Sequence, residues 1–426
     1  MTATPPTLPR VEARPAPDLI GPPQVNEVLS GVHVARGYHL GNAIKVATKD
    51  GPVIIDTTGG MQNASRARDA LGEANPGDAR YVIYTHCHND HTSGAEAFTT
   101  DATVEVVAQD QLPVLTDRDL GCLGAWTRHH RSHQGGRPVE VGVPEGLAAL
   151  LPERRYVPPT LTFDRELDVE VGGLTFHLEH TEGETRDHLL VWIPELKVLC
   201  PGDLVYASFP NLSTPAVGPR PILGWIRSLE RFLELEPEHL VGSHNAPISG
   251  RENVREVVTA YRDALQYVWD FGVRAINDSI PVHEAARSIR LPEHLAAHPW
   301  LQEHYGTVNW GVRAVYDVLT GWYDFTPASL NPLPRQHRDV ALVEVAGEDA
   351  IAERAAEALA ASDFQLALEL SDVVIAARSG HVLANQVQAE ACKGLRLIST
   401  TINEKGFYRS GELLARGRLE GGDHDG

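Results

Sequence analysis

The stretch Arg80-Tyr81-Val82-Ile83-Tyr84-Thr85 runs without a break into His86-Cys87-His88-Asn89-Asp90-His91, and few folds can accept that join. The first part is rich in β-branched and aromatic residues, which reads as a strand. His86 and His88 stand two apart, so an extended backbone projects both to one side and Cys87 to the other, into the core. Cys87 is therefore read as a packing residue rather than a thiolate ligand. Asp90 and His91 come as the chain turns, and Thr92-Ser93-Gly94-Ala95 reads as a helix start. Three imidazoles and a carboxylate converging at a strand end suit zinc and tolerate iron or manganese. The competing reading is a polar loop that happens to contain histidines. It fails on physical grounds, because imidazoles so crowded repel on protonation or are buried at a cost.

Around this join the text is β-like. Residues 42–48 and 52–56 predict two short strands joined by Lys49-Asp50-Gly51. A helix is predicted at 62–74 and strands at 104–108, 168–179 (with a Gly-Gly turn), 189–193, 197–200 and 238–242, with a helix at 222–235. Residues 110–160 are predicted to be irregular, because Gly, Pro, Arg and His crowd into TRHHRSHQGGRP. Beyond about residue 250 the period changes to that of helices, at 252–274, 282–290, 308–320, 347–361, 364–378 and 382–398. The expected division is a flexible Pro-rich tail (1–24), a mixed α/β catalytic domain (25–255), an all-α domain (256–420) and a short tail (421–426).

Charge narrows the function. With 37 basic against 57 acidic side chains the net charge is −20, which disfavours nucleic acid and anionic membrane as partners. The start has no apolar segment of the kind a secretory signal needs. No run approaches the ~20 apolar residues of a membrane span. The four cysteines, Cys87, Cys122, Cys200 and Cys392, form no Cys-x-x-Cys pair. The expected compartment is the cytoplasm.

His-x-His-x-Asp-His after an apolar strand resembles the signature of the metallo-β-lactamase superfamily, and the other landmarks follow in order. Thr181-Glu182-Gly183-Glu184-Thr185 stands where that family has Thr-Pro-Gly-His-Thr. Gly202-Asp203 stands where it has a Gly-Asp with a metal-bridging carboxylate, and Ser243-His244 where it has its last histidine ligand. Glu184 in the histidine position resembles the zinc alkylsulfatases. So do His304-Tyr305-Gly306-Thr307-Val308, Gly321-Trp322-Tyr323-Asp324 and Leu333-Pro334, which are similar to the opening of their helical dimerisation domain. The chain departs from them in having Gly202-Asp203-Leu204 for Ala-Glu-Asn. It also lacks a matched arginine just after Asn211-Leu212, Arg220 being the nearest candidate to hold an anion, with Arg128, Arg131 and Arg137 as others. With the chain ending at Gly426, their C-terminal sterol-carrier-like domain is expected to be absent, and short substrates are expected to be handled better than long ones.

The resemblance implies an αββα metallo-β-lactamase sandwich followed by a helical dimerisation domain. It implies that His86, His88 and Glu184 hold one metal, Asp90, His91 and His244 the other, and Asp203 bridges them. The cofactor would be two Zn2+ per chain, with iron or manganese as alternatives. Asp90 and Asp203 would be the catalytic carboxylates, and Asn211 and Arg220 the substrate contacts. His180 is expected to orient a ligand from behind, His188 to do so or to lie at the surface, and His129, His130 and His133 to sit on a solvated loop. Trp225 is expected in the core. The implied reaction is hydrolysis of a small-molecule ester, an alkyl sulfate first, by a metal-bridging hydroxide in a homodimer. A carboxylic ester or lactone is the alternative substrate. An iron-based redox or oxygen-binding protein, or an assembly module, are alternatives of other classes.

Overall fold

The computed structural model describes residues 6–9, 11–14, 19–74, 78–101, 103–138 and 156–420. The expected tail at 421–426 lies outside them. The chain forms two compact units, one of residues 18–124 and 149–320, the other of residues 1–17, 125–148 and 321–426.

Among the described residues the first unit is built on two sheets. One runs β1 (Gln24–Leu29), β2 (Val32–Arg36), β3 (Ala43–Val46), β4 (Val53–Ile55), β5 (Tyr81–Ile83), β6 (Glu105–Gln109) and β7 (Leu161–Phe163), in chain order. Its first four strands are antiparallel neighbours, and β4 to β7 are parallel. The other holds β8 (Glu166–Val171), β9 (Leu174–His180), β10 (Leu189–Ile193), β11 (Val198–Cys200), β12 (His239–Leu240) and β13 (Ile248–Ser249), paired in that order.

Alternation along the strands sorts the side chains into layers. Val53, Ile55, Ile83, Val107, Phe176, Leu178, Val191, Val198 and Cys200 meet between the two sheets. The intervening Ile54, Val82 and Val106 face outward onto Ala64, Ala67 and Leu71 of helix α1 (Met61–Ala74). From the other sheet, Leu190, Leu199 and Leu240 face outward onto Trp225, Leu229 and Phe232 of the helix Ile222–Leu235. That core also takes Tyr261, Leu265 and Val268 of the helix Arg251–Asn277 and Val312 of the helix Val308–Leu319. The result is the four-layer αββα sandwich. Trp225 is fully buried, as expected of a core residue.

The strands predicted at 42–48, 52–56, 80–85, 197–200 and 238–242 come out shorter at their ends, whereas Leu189–Ile193 falls as predicted and the stretch at 168–179 extends to Glu166 and His180. β5 gives up its ladder at Ile83 and β4 at Ile55, and the two are in register there, Ile55 opposite Ile83. Likewise Leu199 of β11 lies opposite Leu240 of its parallel neighbour β12. The loops that follow these paired strand ends emerge together at the carboxyl edges of the sheets, where open α/β sheets bind ligands.

In the second unit the helices Arg335–Ala346, Glu348–Ala360, Phe364–Ala377, Val382–Ile398 and Ile402–Glu420 follow one another. Ala355, Ala358, Leu359, Phe364, Ala367, Val387 and Ala391 form their core. The start of the chain joins it. Leu8 and Val11 pack on this cluster, and the Arg14 N–H donates to Leu397 O at 2.8 Å, so these described residues are held against the helices. The stretch predicted to be irregular is helical at Leu112–Asp117 and at Gly124–Gln134; residues 139–155 of it lie outside the description. The helix Gly124–Gln134 is nearly devoid of aliphatic residues, so its period was invisible to a hydrophobic pattern. His129, His130 and His133 lie on that helix, in the second unit, where His133 O accepts from Ser410 Oγ at 2.7 Å. No helix among the described residues is long and apolar enough to cross a membrane.

Candidate metal centre

Four loops bring seven side chains together at the sheet edge. His86, His88, Glu184 and Asp203 offer one ligand atom each, all within 4.8 Å of one another, and Asp90, His91 and His244 form a second such group. The groups meet at one atom. Asp203 Oδ2 lies 3.7 Å from His86 Nε2, 3.4 Å from His91 Nε2 and 3.0 Å from His244 Nε2. Glu184 Oε1 faces His88 Nδ1 at 3.5 Å, and Asp90 Oδ2 is 3.5 Å from His91 Nε2 and 3.8 Å from His244 Nε2.

The ring orientations follow from what stands behind each imidazole. Asp56, fully buried at the end of β4, receives the Thr85 N–H on Oδ1 at 2.8 Å. On Oδ2 it receives the Thr85 hydroxyl at 2.9 Å, the Ser243 hydroxyl at 2.6 Å and His91 Nδ1 at 2.8 Å. A carboxylate only accepts, so the Thr85 proton points to Asp56, and His86 Nδ1 donates to Thr85 Oγ1 at 3.0 Å. His244 Nδ1 donates to Leu40 O at 2.8 Å. With Nδ1 taken up behind, His86, His91 and His244 all turn Nε2 towards the cluster, and in the neutral form that nitrogen would be free to ligate.

The electrostatics ask for positive charge. Burial pushes the His86 and His88 imidazoles down, His88 to about 3, so both are neutral, the form that ligates a metal. Burial raises the Asp203 carboxyl, but His244 and His91 outweigh it and hold it well below the usual range. Burial opposes a proton on His244, yet Asp203 lifts it to about 9. Without a cation, protons on His91 and His244 balance the carboxylates, and a metal would displace them. His91 Nε2 and Asp203 Oδ1 are buried and have no hydrogen-bond partner, which fits a metal cluster rather than a closed polar network.

Around the cluster the expectations divide. Glu184 is buried, and its Oε2 is paired with Arg220 Nη1. Burial nonetheless raises its carboxyl to about 8 against the pull of that arginine. Arg220 is thus committed on one edge to a carboxylate of the cluster, while its Nε is buried without a partner. Asn211 is buried too, its N–H donating to Tyr206 Oη at 2.7 Å and its Oδ1 unpartnered. Arg128, Arg131 and Arg137 belong to the second unit. His180 turns away, its Nε2 on Arg186 O at 2.9 Å, and the residue behind the cluster is instead His188, fully buried.

Sequence reasoning missed Asp56 and Tyr305. The signal for Asp56 was a lone acid closing an apolar strand, Val53-Ile54-Ile55-Asp56; the structure adds a positive φ of 57° there. Tyr305 lies in the field of Asp90 and Glu184, and burial with those charges pushes its phenol up to about 12. It packs edge-on to Tyr206 (centroids 6.2 Å apart), and Tyr206 packs in the same way on His244 (6.1 Å).

Fold and centre together define a metallo-β-lactamase domain, and the comparisons agree. Residues 36–244 match the family model described as metallo-beta-lactamase superfamily. Residues 281–417 match the one described as alkyl sulfatase dimerisation, so the chain pairs a metallo-β-lactamase superfamily domain with an alkylsulfatase dimerisation domain. Its homologues are alkylsulfatases. It is 28% identical to a linear primary-alkylsulfatase of a Pseudomonas strain over 397 residues, 88% of this chain and 74% of that one. It is 25% identical to an (R)-specific secondary-alkylsulfatase from Pseudomonas sp. over 92% of this chain and 62% of that one. The fold matches a stereoselective inverting sec-alkylsulfatase from Pseudomonas sp. with TM-score 0.83 at 23% identity, covering 93% of this chain and 66% of that chain. The chain thus spans roughly three fifths to three quarters of these relatives.

The Asp56 network yields a stability prediction. Asp56→Ala leaves the buried Thr85 and Ser243 donors without an acceptor, and each such group costs ~1–3 kcal/mol. Urea unfolding of the metal-free protein should show a midpoint well below wild type. An unchanged midpoint would mean that the carboxylate does not join these loops.

Proposed function

We propose that this chain is a metallo-β-lactamase-fold hydrolase of alkyl sulfate esters with a dinuclear metal centre. What carries the reading is that relatives matched over about nine tenths of the chain are alkylsulfatases, while the chain keeps two adjoining groups of ligand-type side chains. His86, His88 and Glu184 would hold one ion, Asp90, His91 and His244 the other, and Asp203 would serve both, zinc being the first choice for this donor set. When bound, such a pair supplies Lewis-acid polarisation of the ester and a water acidified towards neutrality.

The chain's own residues do the rest. The neutral His86 and His88 leave the carboxylates to carry the charge of the donor set. Glu184 adds one more negative charge than a histidine would, and Arg220 offsets it. We assign the ester's anionic group to Arg220 and Asn211, both buried; Leu212, which follows Asn211 in the chain, accepts the Arg220 backbone N–H on its carbonyl at 3.0 Å. One observation favours a second reading, a carboxylic ester or lactone: Arg220 already has a carboxylate partner, so a dianionic or strongly anionic substrate must share it.

The deciding experiment is a hydrolysis screen of alkyl sulfates, carboxylic esters and lactones with zinc- and manganese-loaded protein. Turnover of alkyl sulfates at least tenfold above the others is expected; preference for a lactone or carboxylic ester would transfer the chain to the second reading. Iron bound as isolated, with a visible absorption band, would point to redox chemistry instead.

Metal analysis tests the ligand assignment separately. Zinc-loaded wild type should hold two ions per chain. Asp203→Ala should lose both, Glu184→Gln chiefly one, and His180→Ala neither. Retention of both ions by Asp203→Ala would make that carboxylate a bystander.

The second unit also supports a homodimer. Trp322, Phe325, Leu333 and Val345 are 75%, 86%, 68% and 89% exposed, large apolar side chains that a second copy could cover. They lie within the region matched by the dimerisation family model. Sedimentation at micromolar concentration should give a dimer, and Trp322→Ser with Phe325→Ser should shift it towards monomer. A monomeric wild type would sink the assignment.

A further inference from the structure

His188 belongs to neither group of ligands, yet it is fully buried beneath them. It stands just ahead of β10, its ring centroid 5.3 Å from that of His86. Its Nε2 accepts the backbone N–H of Asp203 at 3.2 Å. A backbone N–H can only donate, so Nε2 bears no proton, and the proton of the neutral ring sits on Nδ1. Nδ1 lies 2.7 Å from Thr181 Oγ1, and the Thr181 N–H donates back to His188 O at 2.9 Å. Both ring nitrogens are therefore engaged and the ring cannot turn without losing one of them.

The other side of the contact is as tightly built. Gly202 has a φ of 54°, and a Cβ there would meet His188 Nε2 at 2.4 Å. The glycine lets the chain lie directly on the imidazole and delivers the Asp203 N–H to it. His188 also ties three ligand-bearing segments. It closes the turn that carries Glu184, touches the backbone that carries Asp203, and is followed by Leu189, whose N–H donates to Thr85 O next to His86 at 2.8 Å.

We propose that His188 is a positioning residue for Asp203: by accepting its backbone N–H, the imidazole sets where the shared carboxylate stands between the two ligand groups. This rests on the assignment of Asp203 as a ligand common to both ions. Its signature is loss of affinity for both ions together, rather than for one, because the carboxylate it places serves each. A role in packing alone would lower the melting temperature and leave the two affinities in place.

The test uses the full chain and zinc alone, with each affinity read by competition with a chromophoric chelator and folding followed by circular dichroism and thermal melting. His188→Leu keeps the volume and removes the acceptor; both affinities should fall by about 10–100-fold, the usual effect of losing a group behind a ligand. His188→Gln restores an acceptor oxygen near the position of Nε2 and should recover most of the loss. Wild-type affinities in His188→Leu would overturn the proposal. So would a folded His188→Gln no better than the leucine variant, because packing and not the acceptor would then matter. Should His188→Leu fail to fold, Thr181→Val decides. It releases Nδ1 without touching the ring, and a joint weakening at unchanged melting supports the proposal, whereas wild-type affinities refute it. No substrate enters these measurements, so an inactive enzyme in the sulfate screen would count against the proposed reaction and leave this inference standing.

Discussion

Everything at this centre hangs on one buried carboxylate. Asp56 sits at the end of β4 with no exposed surface and takes four donors, from Thr85 (twice), His91 and Ser243. Those residues come from the loop after β5 and the loop after β12, so a single side chain joins the edges of both sheets. It also fixes two imidazoles, His91 directly and His86 through the Thr85 hydroxyl. A buried network of this kind is worth having only when every member is satisfied, and here each Asp56 contact has a donor with nowhere else to go. The left-handed backbone at Asp56 is a local cost accepted for that placement.

The charge arrangement follows from the same logic of burial. Three carboxylates in one water-poor site cannot all stay ionised without compensation. Part of the compensation is internal, since Arg220 sits on Glu184, and part is the positive charge that His91 and His244 carry as protons or that cations supply. Arg220 thereby has a second partner besides the anion its position in the sequence suggested. It is at once a partner of the cluster and the arginine placed beside it, so its two edges face different demands. Its Nε is buried without a partner.

The helical unit obeys a different constraint. Its core is mostly alanine, with Phe364 and a few aliphatics, which allows helices to approach closely but buries little area per residue. Meanwhile Trp322, Phe325 and Leu333 stay in water in the single chain. A modest internal core beside large exposed apolar groups is the composition expected where a second surface finishes the burial.

The sequence alone determined the strands, the helical second half and the contiguous run His86 to His91; the sandwich and the candidates Glu184, Asp203 and His244 came from the resemblance of its short motifs to the metallo-β-lactamase superfamily. The strands, the helices and that run are periodic or contiguous, so strand alternation, helix period and short motifs report them without any knowledge of distant contacts. His86, His88, Asp90 and His91 are legible because they lie within one short run, a strand exit and a single helical turn, that suffices to converge them. The tertiary structure alone decided what stands behind and beside them. Asp56 meets Ser243 across 187 residues, and His244 meets Leu40 across 204. His188 rather than His180 lies beneath the cluster because the turn from β9 to β10 directs one ring to Arg186 O and the other to Asp203. A single polar residue at a strand end looks the same in sequence whether it faces water or a buried donor; only the packing of two sheets edge to edge tells them apart.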